Sequence, residues 1–383
     1  MQRIVVFCLL LLTQACQVSP QANHVVELPD LEQYKLESKH NVPSIESMYQ
    51  LSEAQKKQLH LFVNKASIST LPKHAQAFKF LQTRLVNFDF DGKNYFASES
   101  LALGQGNCMA LAMLTYAVAK ELGIDINFQV MHTIPVLLDV SDKLAITSDH
   151  VRSFLYLKDE EKQKGYFNPT NRIVIDYFPD RYDRGGKLIS ESEFFAMFYR
   201  NLAADALVEN NFDYAYLLLK QAVTLAPEYG PAINMLAVLS RKQGYQPLAE
   251  ALYQYGLEVS DDKVTLLNNY HVLLVKQGRV SEAKSIKDKI LLSNDQNPYI
   301  WYVQARDAIA ANDFYSAKIY LKKFIKNASY YHKAYFDLAK VHFQLGEPYQ
   351  AKKAISLALT HSSSTEDKGV YLAKLNWLKS LQR

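Results

Sequence analysis

Apolar positions along the chain fall into three regimes, each predicting a different kind of element. From about residue 45 to 122 they recur at helical spacing, from 124 to 178 they alternate or cluster in short runs, and from about 196 they return to helical spacing. In the first regime, two amphipathic stretches, 52–65 and 73–85, predict helices. Leu59, Leu61, Phe62 and Val63 are the apolar positions of the former. Ser52 is a fitting N-cap with Gln55 three residues later, the spacing of a capping box. Asp89, Phe90, Asp91 and Gly92 give a turn signal. Gly104, Gln105, Gly106 and Asn107 then lead into a long apolar helix from Cys108 to Leu122, stopped by Gly123.

Strands follow. In 124–132, Ile126, Phe128, Val130 and His132 share one face; in 150–157, Val151, Ser153 and Leu155 alternate against Arg152, Phe154 and Tyr156. Residues 172–178 are β-branched and apolar except for Asp176. A helix followed by three short strands predicts an α+β domain, here 46–195, whose pattern ends around residue 190.

The third regime is periodic. Ala215, Ala249, Ala283, Ala317 and Ala351 stand 34 residues apart. At a second phase of the same period stand Ala203, Ala237, His271, Ala305 and Ala339, and at a third Asn210, Gly244, Gly278, Asn312 and Gly346. Small residues let two helices approach closely, and Gly or Asn supplies a tight turn between them. This period, with Pro227 and Trp301, resembles the tetratricopeptide (TPR) repeat. Five units then cover 196–362, and 363–383 supplies a capping helix for the last apolar face. His271 departs from the small-residue pattern, which predicts looser packing in the third unit.

The N-terminus carries a processing signal. Arg3 precedes a nine-residue apolar run, 4–12, far short of the roughly 20 residues a membrane span needs. Ala15 directly before Cys16 resembles the lipobox of bacterial lipoproteins, in which that cysteine is lipidated; Thr13 stands where the lipobox usually has Leu. An ordinary secretory signal is the alternative. On the lipoprotein reading, 1–15 is removed, 16–45 is a tether with Pro20, Pro29 and Pro43, and the protein is lipid-anchored in the bacterial cell envelope, facing the periplasm. Cys8 then leaves with the signal and Cys16 carries lipid, so Cys108 is the one free thiol. In an oxidising compartment an unpaired cysteine suggests use; a buried thiol acting as a small hydrophobe is the plain alternative.

Cys108 opens a helix, where free N–H groups and the dipole favour a thiolate and an oxyanion. With Gly106, Asn107 and Cys108, then Leu122, Gly123 and Ile124, then Asp149, His150 and Val151, then Val174, Ile175 and Asp176, residues 45–190 resemble a bacterial transglutaminase-like domain of the papain-like group. The resemblance is closest to a family pairing this domain with C-terminal TPR units in cell-envelope proteins. It implies Cys108 as nucleophile, His150 as general base and acid, and Asp176 as the group orienting the imidazole. Gln105 and Gln129 are the candidate side-chain oxyanion donors. Asn107 is read as shaping the turn, and His132 as a rival histidine. Asp176 has a plainer reading as a buried acid paired with Arg152 or Arg172.

Several classes are set aside. The formal net charge is +4 with scattered basic residues, which does not indicate a nucleic-acid partner. No ligand spacing points to a metal, no glycine-rich loop to a nucleotide, and no cofactor is expected. The 25 tyrosines suit packing in core and groove. Asp159, Glu160, Glu161 and Lys162 read as a solvated hairpin tip, 136–149 as a lid before His150, and the pairs Lys322–Lys323 and Lys352–Lys353 as outer-face charges. Two functions compete: a thiol acyl-transfer enzyme (protease, amidase or transglutaminase-like acyltransferase) whose TPR groove selects a protein or peptide, and a catalytically silent envelope scaffold binding partners through its repeats.

Overall fold

A computed structural model describes residues 26–86, 88–132, 150–157, 172–177, 179, 183–261, 263–293, 299–362 and 364–380. Cys16 with its signal segment, the lid stretch 136–149 and the hairpin tip 159–162 lie outside the described residues. The first half contains α1 (Ile45–Tyr49), α2 (Glu53–Val63), α3 (Ala66–Ser69), α4 (Lys73–Leu85), α5 (Ala97–Leu103), α6 (Cys108–Leu122), β1 (Asp125–His132), β2 (His150–Tyr156), β3 (Arg172–Ile175) and β4 (Arg184–Ile189). The Ser52 and Gln55 capping box forms at the start of α2. The short helices α1, α3 and α5 carry too few turns for a periodic signal.

The strands make one antiparallel sheet in the order β3-β2-β1-β4. Strand β4 is a fourth, unanticipated member: Gly185 and Gly186 and a mostly exposed edge position leave it without an alternating pattern. Register places Ile126 opposite Leu155, Phe128 opposite Ser153 and Val130 opposite Val151, with Ser153 opposite Ile175. That face is covered by α6, through Tyr116 beside Phe128 and Thr115 bonded to the Tyr177 hydroxyl. The other face carries Gln129, His150 and Arg152, because successive strand residues point to opposite sides.

The second half is an array of helical hairpins: α7 (Glu191–Val208) with α8 (Phe212–Leu225), α9 (Gly230–Lys242) with α10 (Gln246–Val259), α11 (Lys263–Lys276) with α12 (Val280–Leu292), α13 (Tyr299–Ala310) with α14 (Phe314–Asn327), α15 (His332–Gln344) with α16 (Pro348–His361), and a final α17 (Thr365–Ser380). All five periodic alanines from Ala215 to Ala351 are buried. The turn positions share one geometry. Asn210, Gly244, Gly278, Asn312 and Gly346 all have positive φ, between 59° and 88°. The residue after each turn returns its N–H to a carbonyl five positions back, as in Asn211 to Ala206 and Glu347 to His342, the Schellman closure of a helix end. Helix α7 starts ahead of the expected 196 because Ser190 caps it, accepting from the Glu193 N–H. His271 is half-buried, and its pKa is lowered by burial and then by nearby Lys287.

Residues 26–44 differ from a free tether. Leu31 and Tyr34 are buried against the first repeats, and Tyr34 stacks on Tyr216 at 3.9 Å and lies 4.6 Å from Tyr245. Asp213 accepts from the N–H groups of Glu37 and Ser38 at 2.8 and 2.7 Å, and Tyr199 donates to the Pro43 carbonyl. Apolar residues of this stretch, Leu28, Leu31, Tyr34, Leu36 and Val42, keep neither helical nor strand spacing throughout. No helix among the described residues is long and apolar enough to cross a membrane.

Gly256, inside α10, marks a close helix contact: a Cβ there would meet Leu266 at 2.9 Å and Ile233 at 3.0 Å. Gly256→Val should therefore destabilise the array by about 1–3 kcal/mol through overpacking, measured by urea unfolding; an unchanged midpoint would refute the close approach.

Candidate functional site

Cys108 is set by the turn before it. Gly106 has φ +143°, and a Cβ there would come within 2.7 Å of the Ala110 Cβ. Asp89 and Gln105 pair as an isolated bridge, with the Asp89 N–H bonded to the Gly104 carbonyl and the Gly106 N–H to the Asp89 carbonyl. Asn107 caps α6, accepting from the Ala110 N–H at 3.0 Å, and donates to Asn94 Oδ1 at 2.7 Å. Its amide shapes the turn.

The half-buried thiol of Cys108 is pulled two ways. Burial, the largest influence, raises its pKa; the N–H groups of Met109 and Cys108 itself and the Arg200 guanidinium lower it, while Asp176 raises it. Burial prevails, pushing the thiol up to about 11. Arg200, on α7, is a neighbour that sequence reasoning missed; a lone cation ending a run of buried aromatics, Phe194 to Tyr199, was the available signal. It donates to Asn201 Oδ1 at 2.9 Å.

His150 opens β2 and is buried. Its Nε2 lies 3.2 Å from Asp176 Oδ1 and 3.6 Å from Asp183 Oδ2, with side-chain exposures of 5%, 11% and 5% for the three residues. Arg152 donates to Asp176 Oδ2 from Nε at 3.0 Å and lies 2.9 Å from it through Nη2. Arg172 instead lies over the Phe154 ring. No hydrogen bond joins His150 to Cys108 among the described residues. The cause is strand alternation: α6 covers the face of Val151 and Leu155, and His150 has the parity of Arg152.

The two glutamines are engaged elsewhere. Gln129 donates from Nε2 to the Gly186 carbonyl at 2.9 Å, and Gln105 from Nε2 to Asp89 Oδ2 at 3.4 Å. His132 ends β1 against Gly186, where an added Cβ would approach its Nε2 to 2.6 Å. The ligating atoms of His150, Asp176 and Asp183 all lie within 4.8 Å of one another. Asp183 was invisible in the sequence because the strand that positions it, β4, was.

The array carries a second candidate site, a cavity of about 580 Å³ formed by α10, α11 and α12 and lined by Leu257, Leu267, Tyr270, Ile286 and Lys289 among others. One phase of the repeat passes along its rim. Gln221, Tyr255, Lys289, Lys323 and Leu357 occupy one phase. Tyr255 is buried and donates to the Pro227 carbonyl at 3.2 Å. Lys323, expected on an outer face, is half-buried: it lies 4.1 Å from the Trp301 ring centre and donates to the Ser293 carbonyl. Between them Lys289 is exposed and lines the cavity.

The raised thiol pKa fixes two expectations. At pH 8 iodoacetamide should alkylate folded Cys108 at least about tenfold more slowly than a free cysteine thiol; equal rates would show a reactive thiolate. Below about pH 9 the thiol is neutral in folded and unfolded chains alike, and between about 9 and about 11 only the unfolded chain ionises. Stability should therefore fall as pH rises through that window, and Cys108→Ala should lack this part of the fall in urea titrations.

No protein-family model matches the chain, and no curated protein matches it. Among solved structures it is similar to PilF of Pseudomonas aeruginosa, at 18% identity over 50% of this chain and 94% of that one with a TM-score of 0.32. It is also similar to PilW, a widely conserved type IV pilus biogenesis factor, at 17% identity over 45% and 80% with a TM-score of 0.30. A tetratricopeptide repeat protein of Parabacteroides merdae shares 17% identity over 50% and 88% with a TM-score of 0.25.

Proposed function

We propose that this protein is an adaptor of the bacterial cell envelope, lipid-anchored through Cys16, whose TPR array binds an extended segment of a partner protein. One observation carries the reading: the array already holds a segment of its own chain, residues 26–44, with one 3-10 turn at Leu31–Gln33. Leu31 and Tyr34 are the buried anchors, Asp213 takes two backbone N–H groups, and Glu32 pairs with Lys220. Gln254, one period after Lys220, lines the cavity at Lys289. The face that receives the strap in the first unit is thus open one unit along, with apolar walls for an anchor and lysines beside it.

The acyl-transfer reading from the transglutaminase-like resemblance retains one supporting observation, the His150 and Asp176 contact at 3.2 Å. Against it stand the raised pKa of the Cys108 thiol and the missing hydrogen bond to His150. A nucleophilic thiol needs a base within reach and a thiolate near neutral pH. The silent scaffold therefore ranks first.

Peptide-display selection on the full chain, followed by calorimetric titration of the selected peptides, tests the reading. Sequences with an aromatic or large aliphatic anchor should bind, and Lys289→Tyr, which restores the filling residue of the preceding unit, should weaken them about tenfold, or about 1.4 kcal/mol. Cys108→Ala should bind equally well. Peptides indifferent to Lys289→Tyr, or a partner trapped more strongly by Cys108→Ala than by the wild type, would count for the enzyme instead.

A further inference from the structure

We propose that His150, Asp176 and Asp183 form a binding site for a divalent cation of the zinc class. Their ligating atoms converge from three segments at one end of the sheet: the first residue of β2, the residue after β3 and the residue before β4. The register makes this convergence rigid. Met131 on β1 pairs with His150 on one side and with Gly185 on the other, which brings Asp183 alongside the imidazole, while the pairing of Ser153 with Ile175 brings up Asp176.

The distances suit a shared centre. A charge-assisted N–H to carboxylate bond closes to about 2.7–2.9 Å, and one N–H has one good direction. Here the same Nε2 faces two carboxylate oxygens, Asp176 Oδ1 in a long hydrogen bond at 3.2 Å and Asp183 Oδ2 at 3.6 Å. Metal–ligand bonds of roughly 2.0–2.2 Å at tetrahedral angles put neighbouring ligand atoms about 3.3–3.6 Å apart, and the two contacts span that edge length.

The chemistry of the set selects the ion. One imidazole nitrogen with two carboxylate oxygens suits zinc better than calcium or magnesium, which take oxygen alone. Three protein ligands are the number found in zinc sites that take a fourth ligand from outside the chain. Arg152 completes the arrangement as a positioning residue. It holds Asp176 Oδ2 with two nitrogens and turns Oδ1 toward the histidine, the role of an outer-shell partner. Cys108 is not a member of the set.

The test uses the full chain, stripped with a chelator and titrated with zinc chloride by calorimetry, then with cobalt(II) followed by visible absorption. One equivalent should bind, and the cobalt form should show the intense bands of tetrahedral coordination without the thiolate charge-transfer band. Asp183→Asn and His150→Gln should each weaken zinc binding at least about tenfold, and Cys108→Ala should leave it unchanged. Should His150→Gln fail to fold, Asp183→Asn and the wild-type cobalt spectrum carry the test. No saturable zinc binding by the wild type, undiminished binding by folded Asp183→Asn, or a weak six-coordinate cobalt spectrum overturns the proposal.

Discussion

The two halves of this protein are joined by one helix that belongs to both. Helix α7 is the first helix of the repeat array, yet Phe194 near its start stacks on Phe128 of the sheet at 3.9 Å with ring planes 5° apart. Phe195 meets Tyr116 of α6 edge-on at 5.1 Å. Wholly buried aromatic pairs of this kind bring large apolar area and a fixed geometry. A rigid helix carrying them cannot move relative to the sheet without exposing them. The strap of residues 26–44 adds a second tie by laying Tyr34 between Tyr216 and Tyr245. The α+β half is thereby held as a continuation of the array.

That junction also organises the polar chemistry. Helix α6 lies on the face of the sheet that holds Phe128, so the thiol of Cys108 shares its surroundings with α7 and feels Arg200. His150 and Asp176 have the opposite parity and meet Arg152 and Asp183. A buried carboxylate needs a cation, a donor or a metal to offset its desolvation, and two lie here beside one imidazole. The thiol, which burial keeps protonated, lies within electrostatic reach of Asp176, and Asp176 with Asp183 flanks His150.

What was legible in the sequence follows from how many residues carry each signal. The array is written five times over, and Asn210 and Asn312 are legible because only a few residue types accept a left-handed turn. The capping box at Ser52 and the run of α6 are local and were read correctly. Strand β4 has too few alternating positions, with two glycines among six residues, so Asp183 beside it was hidden as well. The strap rests on Leu31 and Tyr34, with Leu28 and Val42 packed beside the core, at irregular spacings that no periodic reading detects. Arg200 is near Cys108 only because α7 folds back on α6, a contact between residues 92 positions apart in the chain.

In a repeat, the period governs some positions and not others. The 34-residue pattern explains why the hairpins stack, and any sequence obeying it would stack as well. Tyr255, Lys289 and Lys323 occupy one phase yet do three different things: the first reaches Pro227, the last reaches Ser293 under Trp301, and the middle one lines an opening. His271 breaks another phase in that same third unit. Gln221 and Leu357 complete the phase of Lys289, so the period fixes no residue type there, and each side chain answers to its own surroundings while the alanine and turn positions hold the stack.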